Sequence, residues 1–307
     1  RPHDTRRSVH GGTGMTAAEI FDRGYRTFDG ERAGVGKAVR SVAWHTIRSI
    51  LGLGRKGRHK VFPIIVAVVA FLPSIGFLAL SVLIGDLMEG ELQPEYWELF
   101  GLPIVAVMLF ATLVAPEAIV RDRRDGMLRL YLSTPLTAPT YLAAKFAAVM
   151  TSMAIVVAGP ALLYLAANTI QGLGPDGFTN WLEVAAKLLL SSGVIVVFFA
   201  AVSLGAASVT DRRAFASVAV LAALFGVSII VNISVESIGA SRTLLVLDPL
   251  SVPLETAARI FGDNSDGFTD ADTGEGVSTG LVYGGTALWI VAGFGVLADR
   301  YRRIGAV

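Results

Sequence analysis

In a chain of 307 residues, 53% hydrophobic and only 17% charged side chains, with a mean hydropathy of +0.61, exclude an ordinary soluble domain and define a polytopic membrane protein. The absence of cysteine excludes a disulfide framework and any thiolate metal site. A net charge of +1 conceals acids and bases that nearly cancel but are placed unevenly along the chain, and that placement carries the topology.

The first 60 residues form a polar, basic region, expected to be cytoplasmic. It has no short apolar core followed by a cleavage site, so no signal peptide is expected, and Met15 can serve as a start. Within it, Val35, Val39, Val42, Thr46, Ile47, Ile50 and Leu51 recur at helical spacing, with Lys37, Arg40, His45 and Arg48 on the other face. Gly52 and Gly54 end the run. This predicts a basic amphipathic helix lying in the inner headgroup layer, or else packed on a soluble partner.

Residues 61–307 then read as a six-helix membrane domain. A hydrocarbon core of about 30 Å needs roughly 20 apolar residues in a helix, and the segments 61–85, 101–120, 146–168, 184–209, 214–235 and 277–298 meet that length. Six spans place both termini on one side. Of the Lys and Arg residues, 13 lie in residues 1–60, five between spans two and three, two between spans four and five, and three at the end; only Lys187, Arg242 and Arg259 lie elsewhere. The opposite loops carry Asp86, Glu89, Glu91, Glu95 and Glu98, and Asp263, Asp266, Asp270, Asp272 and Glu275. The positive-inside rule therefore predicts cytoplasmic termini. Before span six, Leu250, Leu254, Ala257, Ala258 and Phe261 share a helical face. With residues 243–247 that helix either dips into the outer leaflet under the cover of other protein or lies on the surface.

The richest stretch is 121–145, RDRRDGMLRLYLSTPLTAPTYLAAK, a charged segment between two spans. Arg123, Arg124 and Arg129 offer charge to an acidic cleft of a soluble partner, while Leu128, Leu130 and Leu132 hold the loop against the bundle. Pro135 ends the turn because it lacks a backbone donor and restricts the residue before it. The order of a charged run, Gly126, a leucine-rich turn, Ser133, Thr134 and Pro135, and Lys145 ten residues later resembles the cytoplasmic loop of ABC-2 type ABC transporter permeases. Met127 stands where that family usually has Thr, and Arg129 where an acidic residue is common.

That resemblance implies an all-α, type V exporter-like permease: six transmembrane helices, an N-terminal amphipathic interfacial helix, a coupling helix between spans two and three, and an outer helical segment before span six. It assigns ATPase coupling to Asp122, Arg123, Arg124, Gly126, Arg129, Ser133, Thr134 and Pro135. It also implies a second permease subunit, identical or related, separate ABC ATPase subunits that bind ATP and Mg, and a location in the cytoplasmic membrane. Spans two and five would line the cargo cavity, which nominates Met108, Phe110, Phe225 and Asn232 for a hydrophobic or amphiphilic compound; each is also readable as a packing or lipid-facing residue. Membrane lipid is an expected partner and nucleic acid is not.

The sequence also speaks against other functions. In GERAGVGKA, residues 30–38, Glu31 and Ala38 break the phosphate-loop pattern and no strand precedes it, so the chain is expected to bind no cofactor and to catalyse nothing itself. An ion-coupled secondary transporter needs ionisable groups at the midplane, whereas Glu117 and Lys187 lie near span ends, the latter able to snorkel. That class, a channel, and a non-transporting sensor or scaffold stay as alternatives. Residues 263–275 lack the order of an EF-hand. The four histidines, His3, His10, His45 and His59, form no ligand cluster with acids.

Overall fold

The computed structural model describes residues 34–54, 57–84, 94–127, 131, 136–269 and 276–305. Its regular elements are helical, apart from one antiparallel bridge between Thr269 and Gly276. In chain order they are α1 (Val35–Ile50), α2 (Arg58–Ile84), α3 (Ile104–Arg124), α4 (Ala138–Gln171), α5 (Gly177–Ser208), α6 (Arg213–Glu236), α7 (Val252–Phe261) and α8 (Thr279–Gly305). Short 3-10 turns occupy Glu98–Phe100, Arg242–Leu247 and Asp266–Phe268, and α6 is interrupted by a π turn at Ala222–Gly226.

Six of these helices, α2 to α6 and α8, are long and apolar enough to cross a membrane. Two run well past the apolar segments that predict them. At about 1.5 Å per residue, the 34 residues of α4 and the 32 of α5 each exceed the roughly 30 Å hydrocarbon core. Lys145 consequently sits two turns inside α4 rather than at its opening. The run Arg121–Arg124 likewise continues α3 as its last turn, where positive charge suits the helix dipole.

The bundle is organised around α3 and α5. The most apolar window of α5 is 72% buried and that of α3 67%, against 17% for α2, 28% for α6 and 22% for α8. The latter three thus turn most of their apolar surface outward, as suits lipid or another membrane subunit. Small residues let α5 and α8 touch backbone to backbone: a Cβ on Gly293 would stand 2.5 Å from the Ala201 carbonyl oxygen, and one on Gly205 2.6 Å from that of Gly293.

The apolar stripe of α1 buries Val42, Thr46 and Ile50, and the helix packs on α4 and α3, leaving Trp44 exposed. Much of the face assigned to the headgroup layer is therefore occupied by the protein's own bundle. Segment 242–261 is also covered by protein, because α7 packs on α5 and α8. Its buried face is rotated from the one the apolar residues suggest: Glu255 and Thr256 are inside, while Leu254 is only half-buried. Polar bonds cause the rotation. Glu255 pairs with Arg259 at 2.6 Å and accepts from the Ser265 backbone at 3.0 Å, and Thr256 shares a 2.7 Å hydrogen bond with Thr286 of α8.

The end of the bundle opposite α1 is the acidic one. There Trp97 Nε1 donates to Glu95 at 2.8 Å and to Asp263 at 3.1 Å, tying the approach to α3 to the loop after α7. The Asn264 N–H holds the Asp263 carboxyl below the ordinary range. Glu95 is lowered by its bond from Trp97, but Asp263, burial and Glu98 together raise it above its ordinary range. Lys187, in α5, reaches Glu183 at 2.8 Å and lies over the Phe261 ring. Asp270, Asp272 and Glu275 of the acidic loop lie outside the described residues.

The α5–α8 crossing yields a test. Gly293→Val should destabilise the protein by about 1–3 kcal/mol through overpacking, whereas Gly295→Val, at a glycine with open space around it, should cost far less; thermal unfolding in detergent micelles measures both.

Candidate functional site: the basic end of the bundle

Five elements meet around the end of α3. Asp122 is mostly buried and lies 2.7 Å from Lys145 Nζ of α4, itself almost fully buried. The Asp122 carboxylate also accepts from Tyr141 Oη at 2.9 Å, and Lys145 donates to Thr46 Oγ1 of α1 at 2.9 Å. The Thr46 hydroxyl in turn donates to the Val42 carbonyl at 2.8 Å. Both charges are thereby paired and hydrogen-bonded, the condition for keeping an ion pair away from water.

Arg123 points the other way. Its guanidinium donates to the Ser208 and Thr210 carbonyls at 3.0 and 2.8 Å, lies 3.2 Å from Asp211, and covers the Tyr301 ring of α8 at 5.7 Å. Only 6% of its side chain is exposed. Free carbonyls at the C-terminus of α5 explain the choice of arginine, whose planar fork satisfies two of them together. One turn earlier on α3, Glu117 binds Arg121 at 2.8 Å and Arg213 of α6 at 3.2 Å, and accepts from Ser49 Oγ of α1 at 3.1 Å. The rings of Tyr131, Tyr141 and Tyr301 follow one another in tilted contact, with centroids 5.7 and 6.0 Å apart.

The residues nominated for ATPase coupling thus divide. Asp122 and Arg123 spend their charges inside the chain. Arg124 is 71% exposed, with Asp125 at 3.5 Å, and Met127 is exposed beside it. Gly126 has φ +68 with open space around it, so it is the left-handed turn ending α3, and not crowding, that calls for glycine. Arg129, Ser133, Thr134 and Pro135 lie outside the described residues, as does most of the proposed coupling helix.

The four cargo candidates have separate environments. Met108 and Phe110 are buried in α3, and Phe110 lines a groove described below. Phe225 is exposed on the π turn of α6. Asn232 Nδ2 donates to Asp248, in the link between the 3-10 turn and α7, at 2.9 Å and to the Ser228 carbonyl at 2.9 Å, so its amide N–H groups have partners within the protein. Asp248, fully buried, also accepts from the Leu250 N–H at 3.0 Å and from Ser251. Thr46, Ser49, Tyr141, Asp211, Arg213 and Tyr301 are the parts of the basic-end network that sequence reading missed. A pair of unlike charges placed at facing helix ends, Asp122 and Lys145, was the available signal.

Residues 59–252, well over half of the chain, match the family described as ABC-2 family transporter protein, and the chain belongs to that family. It is a multi-pass transport permease, a transmembrane subunit of a kind that is generally not catalytic, in a family that works with ABC ATPases. The match runs from α2 into α7, so it includes the basic-end charges of α3 and α4 but not α1 or α8. No curated protein matches the chain.

Replacing Lys145 with Met would leave Asp122 buried without its ion-pair partner and should cost about 3–5 kcal/mol. The Asp122→Asn, Lys145→Met double variant should recover much of that loss; a double-mutant cycle by denaturant unfolding in micelles reads the coupling.

Proposed function

We propose that the chain is the permease of an ATP-driven exporter for a hydrophobic or amphiphilic compound such as a drug or lipid-like molecule. Its energy comes from a separate ATPase, which carries ATP and Mg and docks on the loop 122–135. Two permease subunits, identical or related, enclose the pathway in the cytoplasmic membrane, with both termini and the basic end in the cytoplasm. Transport proceeds by alternating access of the cavity between them.

The observation that carries this reading is the fastening of the α3–α4 loop. Asp122 and Lys145 close it with a 2.7 Å ion pair, Thr46 ties that pair to α1, and Arg123 ties the same turn to the α5–α6 connection and to α8. A displacement of the loop is therefore passed to five helices at once instead of being lost in a slack connection. The side chains left facing outward, Arg124 and Met127, supply the contact surface. The distribution of Lys and Arg along the chain supports the orientation.

Arg124→Glu combined with Met127→Asp should leave folding intact but lower retention of the ATPase on the tagged permease, and lower coupled transport about tenfold, a loss of about 1.4 kcal/mol. If that double variant transports normally and no ATPase accompanies the wild-type protein, the ATP-driven reading fails in favour of a secondary transporter or channel.

A further inference from the structure

A groove of about 520 Å³ opens beside the Glu117 network, within the size range of ligand sites. One face of α3 forms its floor: Phe110, Leu113 and Val114, then Glu117, then Val120, Arg121 and Arg124. The walls are Phe62 and Pro63 of α2, Ser49 and Ile50 of α1, and Arg213 at the start of α6.

The groove is amphipathic along its length. From Phe110 to Glu117 the α3 face rises about 10 Å and is apolar; from Glu117 to Arg124 it continues for about 10 Å and is charged. A single leaflet supplies about 15 Å of the hydrocarbon core. The apolar part thus lies at acyl-chain depth and the arginines at headgroup depth, in the leaflet on the α1 side. Three guanidiniums face one carboxylate in the lining. Glu117, with a side chain 10% exposed, holds Arg121 and Arg213 through one oxygen each at 2.8 and 3.2 Å, so both retain unused donors. Arg124 is the most exposed of the three, and Asp125, which faces Arg121 at 3.6 Å and Arg124 at 3.5 Å, stands outside the groove lining. An excess of positive charge at the mouth of an apolar slot complements a phosphate joined to an acyl chain.

We propose that this groove is a binding site for an anionic phospholipid of that leaflet. One acyl chain lies against Phe62, Phe110 and Leu113, and the phosphate is held by Arg121, Arg124 and Arg213. The site does not require that the lipid be cargo, and it stands or falls separately from the ATP-driven reading.

The full-length protein in a neutral detergent, titrated with phosphatidylglycerol or phosphatidylcholine of matched chains and examined by native mass spectrometry, tests it. Phosphatidylglycerol should be retained about tenfold more strongly. Leu113→Trp, which fills the slot, should abolish that retention, and Arg124→Gln should bring the two lipids close to parity. Phe62→Trp on the opposite wall replaces Leu113→Trp should that variant not fold. Equal retention of both lipids by the wild-type protein overturns the proposal, as does undiminished phosphatidylglycerol binding in the filled-slot variant. Competition by glycerol phosphate as effective as that of the intact lipid assigns the arginines to a free phosphate and overturns it. Loss of self-association in Leu113→Trp with unchanged lipid occupancy assigns the groove to a second copy of the chain, and overturns it equally.

Discussion

The buried pair of Asp122 and Lys145 is the constraint on which the basic end depends. Two charges withdrawn from water are tolerated only where each finds its opposite and further hydrogen bonds. That demand fixes α3 and α4 to one another and recruits Tyr141 and Thr46 as well. It also defines what the loop between the helices can do. Clamped in this way, the turn that carries Arg124 and Met127 moves with α3 and α4.

Arg123 extends the same logic across the bundle. Its neighbours on α3, Asp122 and Arg124, face α4 and open solvent, while it turns to the carbonyls at the end of α5 and to Tyr301. Three consecutive charged residues therefore serve three directions, which follows from the roughly 100° step between residues on a helix. With Glu117 joining α1 and α6 one turn below, the charges of one short stretch on α3 reach α1, α4, α5, α6 and α8. A partner engaging this region would find it already stiff.

Much of this architecture was legible in the sequence because membrane spans announce themselves by length and polarity. The six apolar segments and their helices coincide in number and order, and Gly52 and Gly54, read as the end of α1, both have positive φ. The ends of α4 and α5 were not legible, since apolar length measures the bilayer and not the helix that protrudes from it. The direction of Arg123 was equally hidden: a basic residue in a basic loop reads as solvated, and only its placement beside the unpaired carbonyls of α5 turns it inward. In α7 the hydrophobic pattern found Ala257 and Ala258 on the buried face but not Glu255 and Thr256, whose polar bonds periodicity does not register. Asn232 was legible as an amide needing a partner, but not that Asp248, sixteen residues later, would provide it.

The π turn at Ala222–Gly226 has a consequence for how α6 works as a mechanical part. Its buried residues are Ala216, Val220, Leu224, Ser228, Val231 and Val235, and three successive steps of four residues would wander about 120° around a regular helix. The wider turn absorbs one residue and returns the stripe to a single line. The helix consequently presents one straight seam to the bundle from Arg213, held by Glu117, to Asn232, held by Asp248. It is a strut pinned near both ends on opposite sides of the membrane, so a change in the grip at one pin alters the load carried by the other.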